Sequence, residues 1–391
     1  MNPARLLLAV VCLGLTSAPA ASAADTLRDV VIVGNSQAGT VTFLDGRTFA
    51  NIGTMDVAAD KQQRIDEMAP VRRAAYEVIR GQVGDKFVDD AHLTPDGRTL
   101  VVSRGNLGDA VAFDVASRQQ KWRTQLDGYK ADHATLSPDG TKYVISAITA
   151  EKAQVLDVAD GRVLGSFATG AYPHENMYSP NGQRIYNMSI GNPALPKWMN
   201  WAKGAKRITV VDAQTLQQVR SYDFEHGVRP SVITPDEKTL YLQLSYLNGF
   251  AEFDLVSGRV TRTVEMPFSD AGRRLKEDEY PQNSAHHGMA LNGGADKLCM
   301  AGTIDDYTAI VSRPGLTADH YVHYPVGALP YWSLTSVDGN HCFVTLSNLD
   351  AVSVVDYRTG REVARVPVGD FPQRERLGRL PTSVLNSFSV A

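Results

Sequence analysis

The chain lacks most of the signatures by which an enzyme class is read at sight. Its 391 residues hold three cysteines and no Cys-x-x-Cys-His run, so covalent haem c is excluded. No Gly-x-Ser-x-Gly elbow, Gly-rich phosphate loop ending in Lys-Ser/Thr, or His-Glu-x-x-His pair occurs, which removes the common serine-hydrolase, P-loop and zinc-peptidase readings. Charge of one sign is missing too. Lys and Arg number 39 against 43 Asp and Glu, a formal net charge of −4, which gives no electrostatic reason to expect nucleic acid or an anionic membrane as partner. Past the first residues no apolar run is long enough to span a bilayer.

The N-terminus carries Arg5, an apolar run from Leu6 to Leu15, and Ala21-Ser22-Ala23. That order reads as a Sec-type signal peptide over residues 1–23, with export to the periplasm or beyond. Residues 24–391 are then expected to form one domain. Cys12 lies in the apolar run without the small residues of a lipoprotein signal, so no lipid anchor is expected. Cys299 and Cys342 are left, on neighbouring repeats and with opposite strand parity, and either a disulfide or two buried thiols fits them.

What is abundant is repetition. DDAHLTPDGRTLVV, ADHATLSPDGTKYVI, PHENMYSPNGQRIY, RPSVITPDEKTLYL, HHGMALNGGADKLCM and PYWSLTSVDGNHCFV each read as strand, tight turn, strand. The turn position falls at Pro95, Pro138, Pro180, Pro235, Gly293 and Val337, at spacings of 43, 42, 55, 58 and 44. A period near 42 with β-branched alternation fits four-stranded blades. Asp114, Asp157, Asp212, Asp254 and Asp356 recur before a second, outer turn and are read as turn-forming groups. Asp29–Val57 supplies three strands without an inner one, and Gly369–Arg374 resembles a blade opening that would complete it. The fold expected is all-β, a seven-bladed β-propeller whose N- and C-terminal strands share one blade.

Three insertions, at 58–86, 191–205 and 267–285, interrupt the array, and blade connectivity puts all three on one mouth. The first residues of the inner strands reach that mouth. Aligned on the turn, one column reads Asp89, Asp132, His174, Arg229, His287, Tyr331 and Gln373, a polar ring around the axis. The next column, Asp90, His133, Glu175, Pro230, Gly288, Trp332 and Arg374, is expected to point between blades by strand alternation.

Histidine gives the chemistry its sharpest pointer. His92, His133, His174, His286 and His287 all sit on inner strands, out of nine in the chain. Metal ligands are one reading, with His174 and His287 foremost and His92 and His133 next; the metal would be a transition ion, since imidazole suits that class. Hydrogen-bonding or acid–base groups are another, with His174, Glu175, His287 and Arg229 as catalytic candidates, and structural histidines satisfied within the fold are a third. Asp89, Asp132, His133, Tyr331 and Trp332 are ligand-binding candidates, and Trp198 and Trp201 of the second insertion are expected to help wall the pocket.

PHENMYSPNGQRIY, AHLTPDGRTLVVS and SVDGNHCFVTLSNLDAVSVVDYRTGREVARVPVG resemble the bacterial YVTN-type β-propeller repeat family. That family is similar to the propeller of quinoprotein amine dehydrogenase non-catalytic chains and, more distantly, to lactonase-type and cytochrome d1-type propellers. The resemblance covers residues 29–376 and implies fold rather than function. Two functions stay open. One is an exported propeller that binds a small polar ligand, or a periplasmic redox or other partner protein, at its inserted mouth. The alternative is an enzyme at the same mouth, either a lactonase or lyase acting on a lactone or sugar acid, or a histidine-dependent metalloenzyme.

Overall fold

The structure, a computed structural model, describes residues 25–388. The signal-peptide reading of residues 1–23 therefore lies outside the described residues. Seven four-stranded antiparallel sheets form the ring. Six of them run from axis to rim in chain order. In the remaining sheet the innermost strand is Pro372–Pro381, paired outward with Leu27–Asn35, Thr40–Asp45 and Asn51–Asp56. The closure expected from the two chain ends is thus present, with Leu27 opposite Pro381 at one limit and Gly34 opposite Arg374 near the other. That pairing covers what would otherwise be a bare inner edge on Leu27–Asn35.

The reason these strands stack as blades is visible in Val30-Val31-Ile32-Val33, where every residue is buried. Val30 and Ile32 pack with Leu100 and Val102 of the following blade. Val31 and Val33 pack with Phe343, Val352 and Val354 of the preceding one. A blade is covered on both faces, so its middle strands lose the polar half of the usual alternation. Each such side chain contributes roughly 1.5–3 kcal/mol on burial.

Both kinds of turn satisfy their own backbone. On the face away from the insertions, Ser137 Oγ accepts from Lys142 N at 2.9 Å and bonds Asp139. The outer-turn aspartates accept backbone N–H groups within 2.7–2.9 Å, as Asp114 does from Ser117, Asp157 from Ala159, Asp254 from Val256 and Asp356 from Thr359. Cys299 and Cys342 are joined, which settles the open choice in favour of the disulfide and ties the second strands of two neighbouring blades.

The first insertion forms two helices, Lys61–Asp66 and Pro70–Val83, the second of which starts on Pro70 and stops at Gly84 with φ of 74°. The other two insertions are short 3-10 turns and loops. Lys197 N donates to Asp278 Oδ1 at 2.7 Å and Asn283 Nδ2 to Pro193 O at 3.0 Å, so these two insertions meet over the same mouth. A C-terminal helix, Thr382–Phe388, follows the closing strand and sets Phe388 against Phe43 at 5.4 Å between ring centroids.

Candidate functional site

The inner strands do not begin as regular ladders. In Ala131–Leu136 pairing jumps from Ala131 opposite Ala147 to Ala134 opposite Ile145, so Asp132 and His133 together face one residue. The same shift places His174 and Glu175 in a bulge, Arg229 and Pro230 in another, and Tyr331 and Trp332 in a third. A bulge opposes two residues to one and re-aims a side chain. Repeated at one height around the ring, it brings members of both sequence columns to the axis.

That corrects the expectation that the second column points between blades. Asp90 and Glu175 do reach across, accepting from Ala134 N at 3.1 Å and Ser231 N at 3.0 Å on the next inner strand. His133, Trp332 and Arg374 instead join His174 and His287. The ring centroids lie 4.2 Å apart for His133 and His174, 5.6 Å for His174 and His287, and 6.4 Å for His133 and His287. One nitrogen from each ring can be chosen so that all three lie within 4.8 Å of one another.

All three imidazoles are buried. Five of their six ring nitrogens have no hydrogen-bond partner; the sixth, His133 Nδ1, accepts from Arg374 Nε at 2.5 Å. Asp132 Oδ1 lies 3.3 Å from His174 Nδ1 and 3.4 Å from His133 Nε2, near enough for attraction but too poorly aligned for a hydrogen bond. Burial pushes the His174 imidazole down to about 4, with Asp132 partly opposing it. Burial, then Arg374, depresses His133 and His287 further. All three are neutral at pH 7, so each ring has one lone pair; those of His174 and His287 are free, and that of His133 is held by Arg374.

Around them stands a charged shell. Lys130 Nζ bridges Asp89 Oδ2 at 2.8 Å and Asp132 Oδ2 at 3.4 Å. Lys86 Nζ donates to Gln373 Oε1 at 2.7 Å, and burial lowers its ammonium to about 8. Arg229 donates to Ser245 Oγ at 3.1 Å and to the carbonyl of Gln282, while its Nη1 has no partner. Tyr331 stacks on His287 at 3.9 Å. Trp332 lies between the Arg374 and Arg376 guanidiniums, at 4.4 and 4.9 Å. Deeper on the axis Arg376 grips Asp90 with two bonds of 3.0 and 2.7 Å, and burial raises the Glu175 carboxyl to about 7.

Two hollows meet this site. A groove of about 430 Å³ runs between the Pro70–Val83 helix and the blades that open with Ala131–Leu136 and Pro173–Tyr178, with Lys130, Asp132 and Gln282 on its lining. A second hollow, about 330 Å³, is lined by Glu175, Arg376, Trp332 and His92 together with the later inner-strand residues.

Four other candidates fall elsewhere. His92 packs edge-on against Tyr143 and lies outside the three-histidine group. His286 bonds Tyr307 Oη at 3.1 Å between strands of its own blade. Trp198 and Trp201 are 75% and 82% exposed, so they stand out from the mouth rather than walling it. Lys86, Lys130 and Arg376 were not among the residues picked from sequence. The available signal for the two lysines was position: Lys86 stands three residues before Asp89 and Lys130 two before Asp132.

No family model and no curated protein matches the chain. Among solved structures, a chain of Kuenenia stuttgartiensis hydrazine synthase aligns with a TM-score of 0.58 at 16% identity, over 76% of this chain and 96% of that one. Dihydro-heme d1 dehydrogenase NirN in complex with DHE aligns with a TM-score of 0.58 at 13% identity, over 92% of this chain and 76% of that one. Both likenesses are of fold. The chain is a seven-bladed β-propeller with a buried three-histidine cluster on the axis beneath its inserted mouth.

Proposed function

We propose that this propeller binds one divalent transition-metal ion at His133, His174 and His287. The observation that carries the reading is the set of five unpartnered ring nitrogens in one buried cluster. Leaving a buried polar atom unpaired costs about 1–3 kcal/mol, and an ion that takes one nitrogen from each ring would give the three histidines one shared partner. The donors fit a d-block ion: imidazole nitrogen suits zinc, copper, iron and nickel, and Asp132 offers a carboxylate oxygen beside two of the rings. Arg374 would have to release His133 Nδ1 whichever nitrogen binds the ion, since coordination at Nε2 puts the ring proton on Nδ1. A bound ion would act as a Lewis acid on a ligand entering from the groove.

The remaining expectations complete the reading. The repeat pattern supports a YVTN-type propeller of the kind found beside quinoprotein amine dehydrogenases. Export is supported by the Cys299–Cys342 disulfide, since such bonds persist in oxidising compartments. NirN, described in complex with DHE, puts the carrying of a bound group among the uses of this fold.

Elemental analysis of protein purified without a histidine tag tests the proposal. About one equivalent of metal is expected per chain, lost in His174→Ala/His287→Ala and retained in His92→Ala. A wild-type chain that holds no zinc, copper, iron, nickel or cobalt after incubation would overturn it, and would leave the imidazoles as hydrogen-bonding groups for a small polar ligand.

A further inference from the structure

The shell around the three imidazoles carries more positive charge than the protein offsets. Lys86, Lys130, Arg229 and Arg374 are buried there, and so are Asp89 and Asp132. Four cations less two carboxylates leave an excess of two charges. Lys130 takes both carboxylates. The other three spend their donors on neutral groups: Lys86 on Gln373, Arg229 on Ser245 and Gln282, Arg374 on His133 and the Gln373 carbonyl. Glu175 gives its carboxylate to Ser231 N, and Asp90 is held by Arg376.

Buried charge without a counter-charge is unfavourable even after the surroundings relax. A divalent ion on the histidines would raise the local excess from two to four. The fold must therefore receive negative charge from outside, and Arg229 shows where. Its Nη1 is a buried donor with nothing to donate to, and its charge acts on both His174 and His287. Lys86 and Arg374 lie 5.8 and 5.5 Å from the Tyr331 ring, which itself covers His287. The cations thus gather on one side of the cluster.

The groove narrows the class of anion. Ala74, Val78, Ile79 and Val83 of the helix face Ile148 and Ile190 across it, and its polar lining includes Lys130 and Asp132, next to the cations. Gln282, whose carbonyl accepts from Arg229, also lines it. Such walls favour an apolar body behind the charged head, and a guanidinium fork suits a planar carboxylate. We propose that the mouth takes the carboxylate of a small organic acid between Arg229 and Lys86, beside the metal ion, with the acid's carbon chain in the groove along Pro70–Val83. The place beside the ion rests on the metal reading above; the carboxylate site itself rests on the protein's own cations.

Titration calorimetry with hexanoate, on zinc-loaded and chelator-stripped protein, tests this. Wild type is expected to bind in both states and more tightly with zinc. Arg229→Gln and Lys86→Met should each weaken binding about tenfold or more, the scale of one lost charge-assisted hydrogen bond. Val78→Glu, at an exposed groove position, should weaken hexanoate several-fold and leave acetate unchanged, by the loss of apolar contact. Circular-dichroism melts on each variant establish folding, and Lys86→Met carries the test if Arg229→Gln does not fold.

Absence of hexanoate binding, wild-type affinity in both cation variants, or sulfate binding in its place would each overturn the carboxylate proposal. Metal content on the same samples separates the two readings. Binding lost with metal retained sinks the carboxylate alone, and metal absent with hexanoate still dependent on Arg229 and Lys86 sinks the metal alone.

Discussion

The two ends of the same seven inner strands obey different rules. At the far end the turns repeat one solution: Ser137 with Asp139, Thr94 with Asp96, Ser179 with Asn181, Thr234 with Asp236, Ser336 with Asp338. Each closes its side-chain hydrogen bond within its own turn. At the mouth no two blades carry the same pair, and unpartnered nitrogens and uncompensated cations are buried side by side. Repetition marks the parts of a propeller that hold it together, and departure from repetition marks the parts that wait for something else.

Removing the closing strand should break both ends at once. Deleting residues 369–391 takes away Gln373, Arg374 and Arg376 at the mouth and leaves Leu27–Asn35 as a bare edge. The expected outcome is loss of the cooperative thermal transition; a variant that still melted sharply would mean that the ring does not depend on its closure.

Acid should act on the inner strands through their buried imidazoles, and its sign follows from the direction of the shifts. Burial lowers His92 to about 4 and His286 to about 3, and depresses His133, His174 and His287 as well. An unfolded chain takes up protons on histidine from about pH 6.5 downward, while the folded chain does not. Stability is therefore full above that pH and is lost as pH falls towards 4. At pH 5 each histidine should cost about 2 kcal/mol. Glu175 and Glu375, raised by burial, act in the opposite sense and lose their contribution as pH rises. Five imidazoles outweigh two carboxyls, so the metal-free protein should melt several degrees lower at pH 5 than at pH 7.5. A flat melting profile across that range would contradict the buried-histidine arrangement.

The disulfide belongs to the scaffold and should behave like it. It closes a 43-residue separation, for which loop-closure entropy gives about 4 kcal/mol. Cys299→Ser/Cys342→Ser should lose stability of that order in chemical denaturation while metal content stays the same. A change in metal content would show that the blades it ties also position His287.

The difference between the ends also explains what could be read from sequence. Turns, blade count and ring closure were legible because they depend on local chemistry repeated at a fixed period. The polar first column was legible for the same reason. The merging of His133 with His174 and His287 was not, because it depends on bulges at Asp132-His133, His174-Glu175 and Tyr331-Trp332, and strict alternation assigns neighbours to opposite sides. Lys86 and Lys130 precede the repeat and so fell outside its alignment. Trp198 and Trp201 looked like pocket walls by residue type, yet their insertion turns them to solvent.

The smallest effect offers the cleanest contrast. Ser137 Oγ bonds Asp139 and accepts from Thr141 N at 3.1 Å and Lys142 N at 2.9 Å. Ser137→Ala leaves those amides to water or to Asp139, which already accepts from Thr141 N at 3.1 Å. A loss of about 1–2 kcal/mol is expected, read as a lower denaturant midpoint with unchanged slope. The turn sits on the same strand as Asp132 and His133, four or five residues from the cluster, so any coupling between the two ends must pass along it. If metal content and hexanoate affinity are unaffected, the strand's two ends are energetically separate and the scaffold can be altered without touching the site. If either shifts, the bulge at Asp132-His133 takes its geometry from the turn, and the division between repeated scaffold and divergent mouth fails on this blade.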